Sequence, residues 1–279
     1  MVQLRHNASS ESPELDAQLL AMHVLDVSRS HLFAFPEKPI SLAMQSAMDI
    51  ALQRRIAGEP IAYITGVNEF WSKELKVNAF TLDPRADTEV LVDKAIEIVT
   101  HSGAHALPDG WILDLGTGTG AIAIAVADEL PERQVLAIER SPQALNVARE
   151  NVVTLNCSNV DLLCGCWLNA IADDSVAMVL ANPPYLANND PHLPNLKFEP
   201  VEALVSGQTG LEDLERIICD TVRAGKNGAA LLLEHGCEQG AAVRQLLTHH
   251  GYHGIATFTD LAGLERVSLG YVVKKTGKF

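Results

Sequence analysis

The segment Ile112-Leu113-Asp114-Leu115-Gly116-Thr117-Gly118-Thr119-Gly120, running on into Ala121 to Leu130, constrains this chain more than any other. A short apolar run, a glycine-rich turn and an apolar helical stretch make the first crossover of a nucleotide-type α/β sheet. Glycines in such a turn let the backbone pass close to a ligand and bend sharply into the helix. The spacing Gly116-x-Gly118-x-Gly120 is not Gly-x-Gly-x-x-Gly, which disfavours recognition of a pyrophosphate. The next apolar run, Val135 to Ile138, ends at Glu139. That is about 20 residues beyond the turn, where a carboxylate accepts both hydroxyls of a ribose. Asp114 reads either as a structural acid at the strand end or as a contact to the adjacent turn or to the amino-acid end of a cofactor; the contact is the favoured reading.

A second constraint is Asn182-Pro183-Pro184-Tyr185, directly after the apolar run Val176 to Ala181. The run reads as a buried parallel strand that delivers a side chain to the carboxyl edge of the sheet. Asn182 precedes a proline and is pushed toward extended backbone angles. The prolines lack an N–H, so nearby carbonyls keep lone pairs for a ligand. Such a turn suits a planar NH2 group. Asn182 Oδ1 and the Pro183 carbonyl accept its two N–H bonds, and Tyr185 lies against its plane. Asn-Pro also occurs in ordinary strand-ending turns, but the glycine turn and Glu139 upstream favour a binding role. A ribose acceptor without a pyrophosphate loop, joined to an amide-binding tetrapeptide at the fourth strand, points to S-adenosylmethionine.

At these residues the chain resembles the class I S-adenosylmethionine-dependent methyltransferases. More narrowly, it resembles the bacterial glutamine methyltransferases that modify peptide chain release factors. The resemblance runs through Arg54 to Gly66, Glu69-Phe70-Trp71, Pro84-Arg85 and Asp87-Thr88-Glu89. It continues in Phe198-Glu199-Pro200, Ala203 to Gly207, Leu232-Leu233-Glu234-His235-Gly236 and Asp260 to Val267. It implies a Rossmann-like, seven-stranded, mostly parallel sheet with a small helical N-terminal domain. It also implies a cofactor held by Gly116, Thr117, Gly118, Thr119, Gly120, Glu139, Trp167 and Asn182. The substrate glutamine, in the Gly-Gly-Gln tripeptide of a release factor, would lie on Asn182, Pro183, Pro184 and Tyr185. Asn182, Pro183 and Tyr185 would be catalytic, with no metal. Asp83 stands where the family has Ile or Val, Ala86 where it has Pro, and Lys197 where it has Arg. Two related activities share the tetrapeptide: glutamine methylation of a ribosomal protein, and amino-group methylation of a nucleic acid. The segment Arg54 to Gly66 favours the release factor.

Charge bears on the partner. The net charge of −14 over 279 residues comes with no basic stripe, the footprint expected of a nucleic-acid binder. It suits a basic protein partner and no direct nucleic-acid contact. Arg54-Arg55 and Lys274-Lys275 read as solvated pairs. With 47% hydrophobic residues and no run approaching a membrane span, a globular protein without a membrane segment is expected. The absence of an apolar leader at the N-terminus points to the cytoplasm. Five cysteines without a Cys-x-x-Cys pair argue against a disulfide framework or zinc site; Cys164 and Cys166 are expected to be buried and inert.

Helical spacing is expected over 12–57, with starts at Ser12-Pro13 and Ser41, breaks at Pro36 and Pro39, and Leu15, Leu19, Leu20 and Val24 recurring on one face. Met22, Met44 and Met48 read as core. Residues 1–75 form the helical domain and 76–279 the methyltransferase domain, bridged by a hairpin within 70–85. A helix is expected over 87–100, and strands near 111–115, 134–139, 160–164, 176–181, 229–235, 255–260 and 266–273, the last two an antiparallel edge pair. Residues 186–209 read as a long irregular segment covering the substrate. His192 reads as solvated, and Glu199, His235, His249 and His250 as structural.

Overall fold

The computed structural model describes residues 12–100 and 107–274. Four helices come first: Pro13–Leu25 (α1), Arg29–Ala34 (α2), Leu42–Ile56 (α3) and Ile61–Thr65 (α4). Pro13 sits in the first turn of α1, where its missing N–H is not needed. The Ser28 and Ser41 hydroxyls accept the N–H groups of His31 and Met44 and so cap α2 and α3; Ser12 makes no such side-chain bond. Leu20, Ala51 and Ile64 form a small core joined by Val24, Met48 and Ile61. Met44 and Leu15 are instead exposed, because α1 and α3 bury only the stripe at which they meet. Arg55 also departs from expectation. It lies at that meeting line, so its guanidinium is paired rather than solvated: Nε donates to Asp16 at 2.7 Å and Nη1 to the Glu59 carbonyl. Arg54 pairs with Glu59 nearer the surface.

Gly66, at φ 80°, ends α4 and the chain turns into a hairpin, Val67–Phe70 (β1) and Lys73–Lys76 (β2). Phe70 pairs with Lys73, leaving a two-residue turn in which Trp71 and Ser72 both adopt positive φ, the backbone that matches strand twist. Phe70 and Leu75 point into the main core. One buried amide anchors the hairpin. Asn151 Oδ1 accepts the Lys76 N–H at 2.8 Å, while its Nδ2 donates to the Lys76 carbonyl at 3.0 Å and the Thr119 carbonyl at 2.8 Å.

A 3-10 turn, Ala86–Thr88, leads into Glu89–Thr100 (α5), and the alternating region follows. Its elements are Trp111–Leu115 (β3), Ala121–Glu129 (α6), Val135–Glu139 (β4), Pro142–Thr154 (α7), Val160–Cys164 (β5), Val176–Ala181 (β6), Glu212–Ala224 (α8), Gly225–Glu234 (β7), Gly240–His249 (α9), His253–Thr259 (β8) and Glu265–Tyr271 (β9). The seven-stranded sheet has the order β5-β4-β3-β6-β7-β9-β8. Strands β5 to β7 are parallel; β9 runs antiparallel to β7 and β8. Every residue of β6 is buried, as helices on both faces require. One apolar cluster lies on each face, the first including α6 and the second Trp167, Leu214 and Ile218. The chain winds outward from β3 to β5 and then returns to β6, so the sheet's switch point lies between β3 and β6. Register there sets Leu115 opposite Ala181, and Gly116 and Asn182 leave the sheet side by side.

Residues 186–209 are irregular apart from two short 3-10 turns, Leu193–Leu196 and Val201–Ala203. A bridge between Leu186 and Val205 closes the loop on itself, and an Arg85–Glu199 ion pair ties it to the segment before α5. All five cysteines are free. Cys164 is exposed rather than buried, because it ends β5, an edge strand with no neighbour on its far side. Lys274 pairs with Asp174; Lys275 lies outside the described residues. Among the described residues, no helix is long and apolar enough to cross a membrane.

Candidate active site

A cavity of about 550 Å³ opens at the switch point. Gly116, Thr117, Gly118 and Thr119 form one side of it, Glu139 and Trp167 another, and Asn182 and Pro184 a third. Arg85, Thr88, Arg140, Ser141, Gln143, Pro200 and Glu202 also contribute. Gly120, Pro183 and Tyr185 are not among its lining residues.

The turn is held from beneath. Asp114 is fully buried at the end of β3, and its Oδ2 accepts the Thr117 hydroxyl and, at 3.1 Å, the Ala123 N–H. Of the readings open to it, the structure supports contact with the adjacent turn. Burial pushes its carboxyl up to about 7, while Oδ1 takes no hydrogen bond. The Ile138 carbonyl accepts the N–H groups of both Gly116 and Thr117, fastening the turn to β4. Gly116, Gly118 and Gly120 all have positive φ, a conformation open to glycine. Their surroundings differ. A Cβ at Gly116 would stand 3.2 Å from the Trp167 ring, one at Gly118 would meet no side chain, and one at Gly120 would press on Ile124 and Ala148. Gly120 therefore serves the packing of α6 on α7, which is why it is missing from the cavity wall.

Glu139 ends β4 with one oxygen on each of two main-chain donors: Gly118 N–H at 3.1 Å and Ser141 N–H at 2.9 Å. A carboxylate offers about four acceptor sites, so two remain for a diol. Trp167, at φ 46°, is held by its Nε1–H to Asp213 at 3.0 Å and presents its ring to the turn. A glycine-rich turn, a carboxylate with acceptor sites left over and an aromatic face fit a nucleoside cofactor with no pyrophosphate. Asn182 Nδ2 donates to Thr88 Oγ1 at 3.2 Å. Beyond it the Tyr185 carbonyl accepts from Gln239, and burial raises the Tyr185 hydroxyl to about 12.

The remaining candidates are structural or solvated. His192 is three-quarters exposed and bonded to Asp190. Glu199 is buried on Arg85. His235 is buried, its Nδ1–H donating to the Gly236 carbonyl and its Nε2 facing the Ser268 hydroxyl. His249 and His250 stack edge to face. No group of three or more His, Cys, Asp or Glu among the described residues could hold a metal. Of the departures from the family pattern, Asp83 accepts from Asn68 at 2.6 Å, Ala86 opens the 3-10 turn and Lys197 lies over the Phe198 ring.

Sheet order, switch-point cavity and glycine turn together define a class I methyltransferase. Sequence comparison narrows the class. The PrmC N-terminal domain matches residues 3–66 and the methyltransferase small domain residues 88–196. The release factor glutamine methyltransferase of Vibrio cholerae is 46% identical over 94% of this chain and 91% of its own length. That of Escherichia coli K12 is 43% identical over 94% and 93%. The chain belongs to the release factor glutamine methyltransferase family. Among solved structures, the hMettl16 catalytic domain in complex with a 3′UTR hairpin superposes with a TM-score of 0.56 at 17% identity, over 72% of this chain and 75% of that one. That likeness is one of fold.

Proposed function

We propose that the cavity binds S-adenosylmethionine and that the chain methylates the side-chain amide nitrogen of a release-factor glutamine. The observation that carries this is the β3/β6 register, which sets the glycine turn and Asn182 on the wall of one cavity. The donor lies along Gly116 to Thr119 with its ribose on Glu139 and its base near Trp167; the glutamine enters at Asn182, Pro183, Pro184 and Tyr185. When bound, the sulfonium supplies an activated methyl group, whose S–C bond breaks as the N–C bond forms.

A glutamine nitrogen is a poor nucleophile, because its lone pair is delocalised into the carbonyl. Asn182 Oδ1 and the Pro183 carbonyl accept its two N–H bonds and turn the lone pair toward the methyl group. The same acceptors stabilise the positive charge that develops on nitrogen. The product cation is strongly acidic and passes its proton to water, so no strong general base is required. Residues 1–75 dock the body of the factor while 76–279 receive its glutamine loop, closed over by 186–209. The acidity of the chain and the family membership support a protein substrate.

The test incubates the protein with methyl-labelled donor and purified release factor, ribosomal proteins or RNA. Label on the release-factor glutamine is expected. Label on RNA or ribosomal protein in its place would overturn the reading.

A further inference from the structure

We propose that the groove between the helical domain and the methyltransferase domain docks a lysine- or arginine-bearing segment of the release factor that flanks the methylated glutamine, with Glu69 and Glu74 holding its cations. The proposal rests on the reading of Asn182 as the glutamine site. The groove encloses about 1420 Å³. Leu15, Leu19 and Met22 of α1, Ile61 of α4 and Leu196 of the 186–209 loop give it apolar walls. Arg85 lines both this groove and the donor cavity. The two adjoin there, so one extended chain can lie in the first while its glutamine enters the second.

Glu69 and Glu74 stand directly opposite each other across the hairpin, and both are exposed. Side chains alternate along a strand. With Phe70 and Leu75 turned into the core, the two glutamates face the groove, which both of them line. Like charges placed opposite one another destabilise a strand pair. The hairpin's own lysines do not relieve them, because Lys73 pairs with Asp128 and Lys76 with Glu150. Among the described residues, no lysine or arginine pairs with either glutamate. A cation brought in from outside would turn their repulsion into attraction.

Glu199 points to the same kind of occupant. It lines the groove and is only 6% exposed; Oε1 accepts from Arg85, while Oε2 takes no hydrogen bond. An acceptor kept from water without a donor is costly, and a basic side chain entering beside Arg85 would supply one. The groove as a whole is short of positive charge. Six carboxylates line it against three lysines and arginines. Arg55 is taken up by Asp16 and Arg85 by Glu199. That leaves Lys197 against Asp26, Glu69 and Glu74, with Asp83 3.8 Å from Arg85. Such a lining repels phosphates, so the occupant is a basic protein segment and not RNA.

Steady-state methylation of purified release factor by full-length Glu69→Lys and Glu74→Lys variants tests this. Each reversal sets a like charge against the incoming cation and is expected to raise KM for the factor by about tenfold. The loss should fall on KM and not on kcat, with S-adenosylmethionine affinity unchanged in a calorimetric titration, because neither glutamate lines the donor cavity. The melting temperature should hold or rise, since each single reversal leaves opposite charges facing across the hairpin. Added salt should raise the wild-type KM and move that of the variants less. A wild-type KM in both variants, or a drop in melting temperature that accounts for the lost activity, would overturn the proposal. Failure of the underlying reading looks different: Asn182→Ala would then retain normal turnover.

Discussion

Replacing Glu139 with alanine separates its main-chain contacts from the ribose contact proposed for it. Its oxygens accept Gly118 N–H and Ser141 N–H, and two acceptor sites remain for the ribose. A hydrogen-bonded contact to a charged group contributes about 1.5–3 kcal/mol. Loss of the ribose contact alone would weaken donor affinity by about 10- to 150-fold. The freed main-chain donors border an open cavity, where water can reach them, so the melting temperature should move little. Glu139→Gln keeps one acceptor oxygen and should fall between wild type and alanine. Calorimetric titration with S-adenosylmethionine, alongside a thermal melt of each variant, checks both halves. Wild-type affinity in a folded Glu139→Ala protein would refute the ribose role, whatever happened to turnover.

Asn182→Ala should slow methyl transfer by about 100-fold, the usual cost of one preorganised polar group, with titration showing donor affinity nearly unchanged. The last two glycines of the turn should fail differently: Gly118→Val abolishes donor binding in a folded protein, whereas Gly120→Val, pressed on Ile124 and Ala148, lowers stability in urea by several kcal/mol, about 1–3 of it from backbone strain alone. Asp114 is raised to about 7 from 3.8, so the folded state binds its proton more tightly than the unfolded chain, and stability falls as pH rises from about 4 to 7. Asp114→Asn removes that slope; its stability relative to wild type should improve by about 2–3 kcal/mol between pH 5 and pH 8 in urea titrations, and parallel curves would reject the assignment. Deleting residues 1–60 while keeping the hairpin should sharply reduce methylation of the intact factor and spare donor binding, as filter assays with labelled donor would show.

The parallel strands were legible because a strand covered on both faces must be apolar almost throughout, and β3, β4 and β6 are. Glu139 was legible from its distance to the turn. What stayed hidden depends on neighbours that the sequence does not place. Gly120 shares its spacing with Gly116 and Gly118, and only its contact with Ile124 and Ala148 assigns it to packing. Arg55 looks like half of a solvated pair until α1 brings Asp16 to it. Cys164 reads as buried until the sheet order makes β5 an edge. Thr88 lies far from Asn182 in the chain and meets it because the segment before α5 folds back over the end of β6.

Asn151 bears on how separable the two parts of the molecule are. With its oxygen on the Lys76 N–H and its nitrogen on the Lys76 carbonyl, it pairs with β2 as a neighbouring strand would, and its second N–H holds the Thr119 carbonyl of the glycine turn. The hairpin that carries the helical domain is thereby keyed to one side chain of the catalytic domain. A chimera that exchanges the helical domain between relatives would have to carry a matching amide at this point on α7. Without it, the graft would hang from a hairpin whose Lys76 main chain had lost its partner, and a guest bound to the helices would no longer be held at a set distance from the methyl donor.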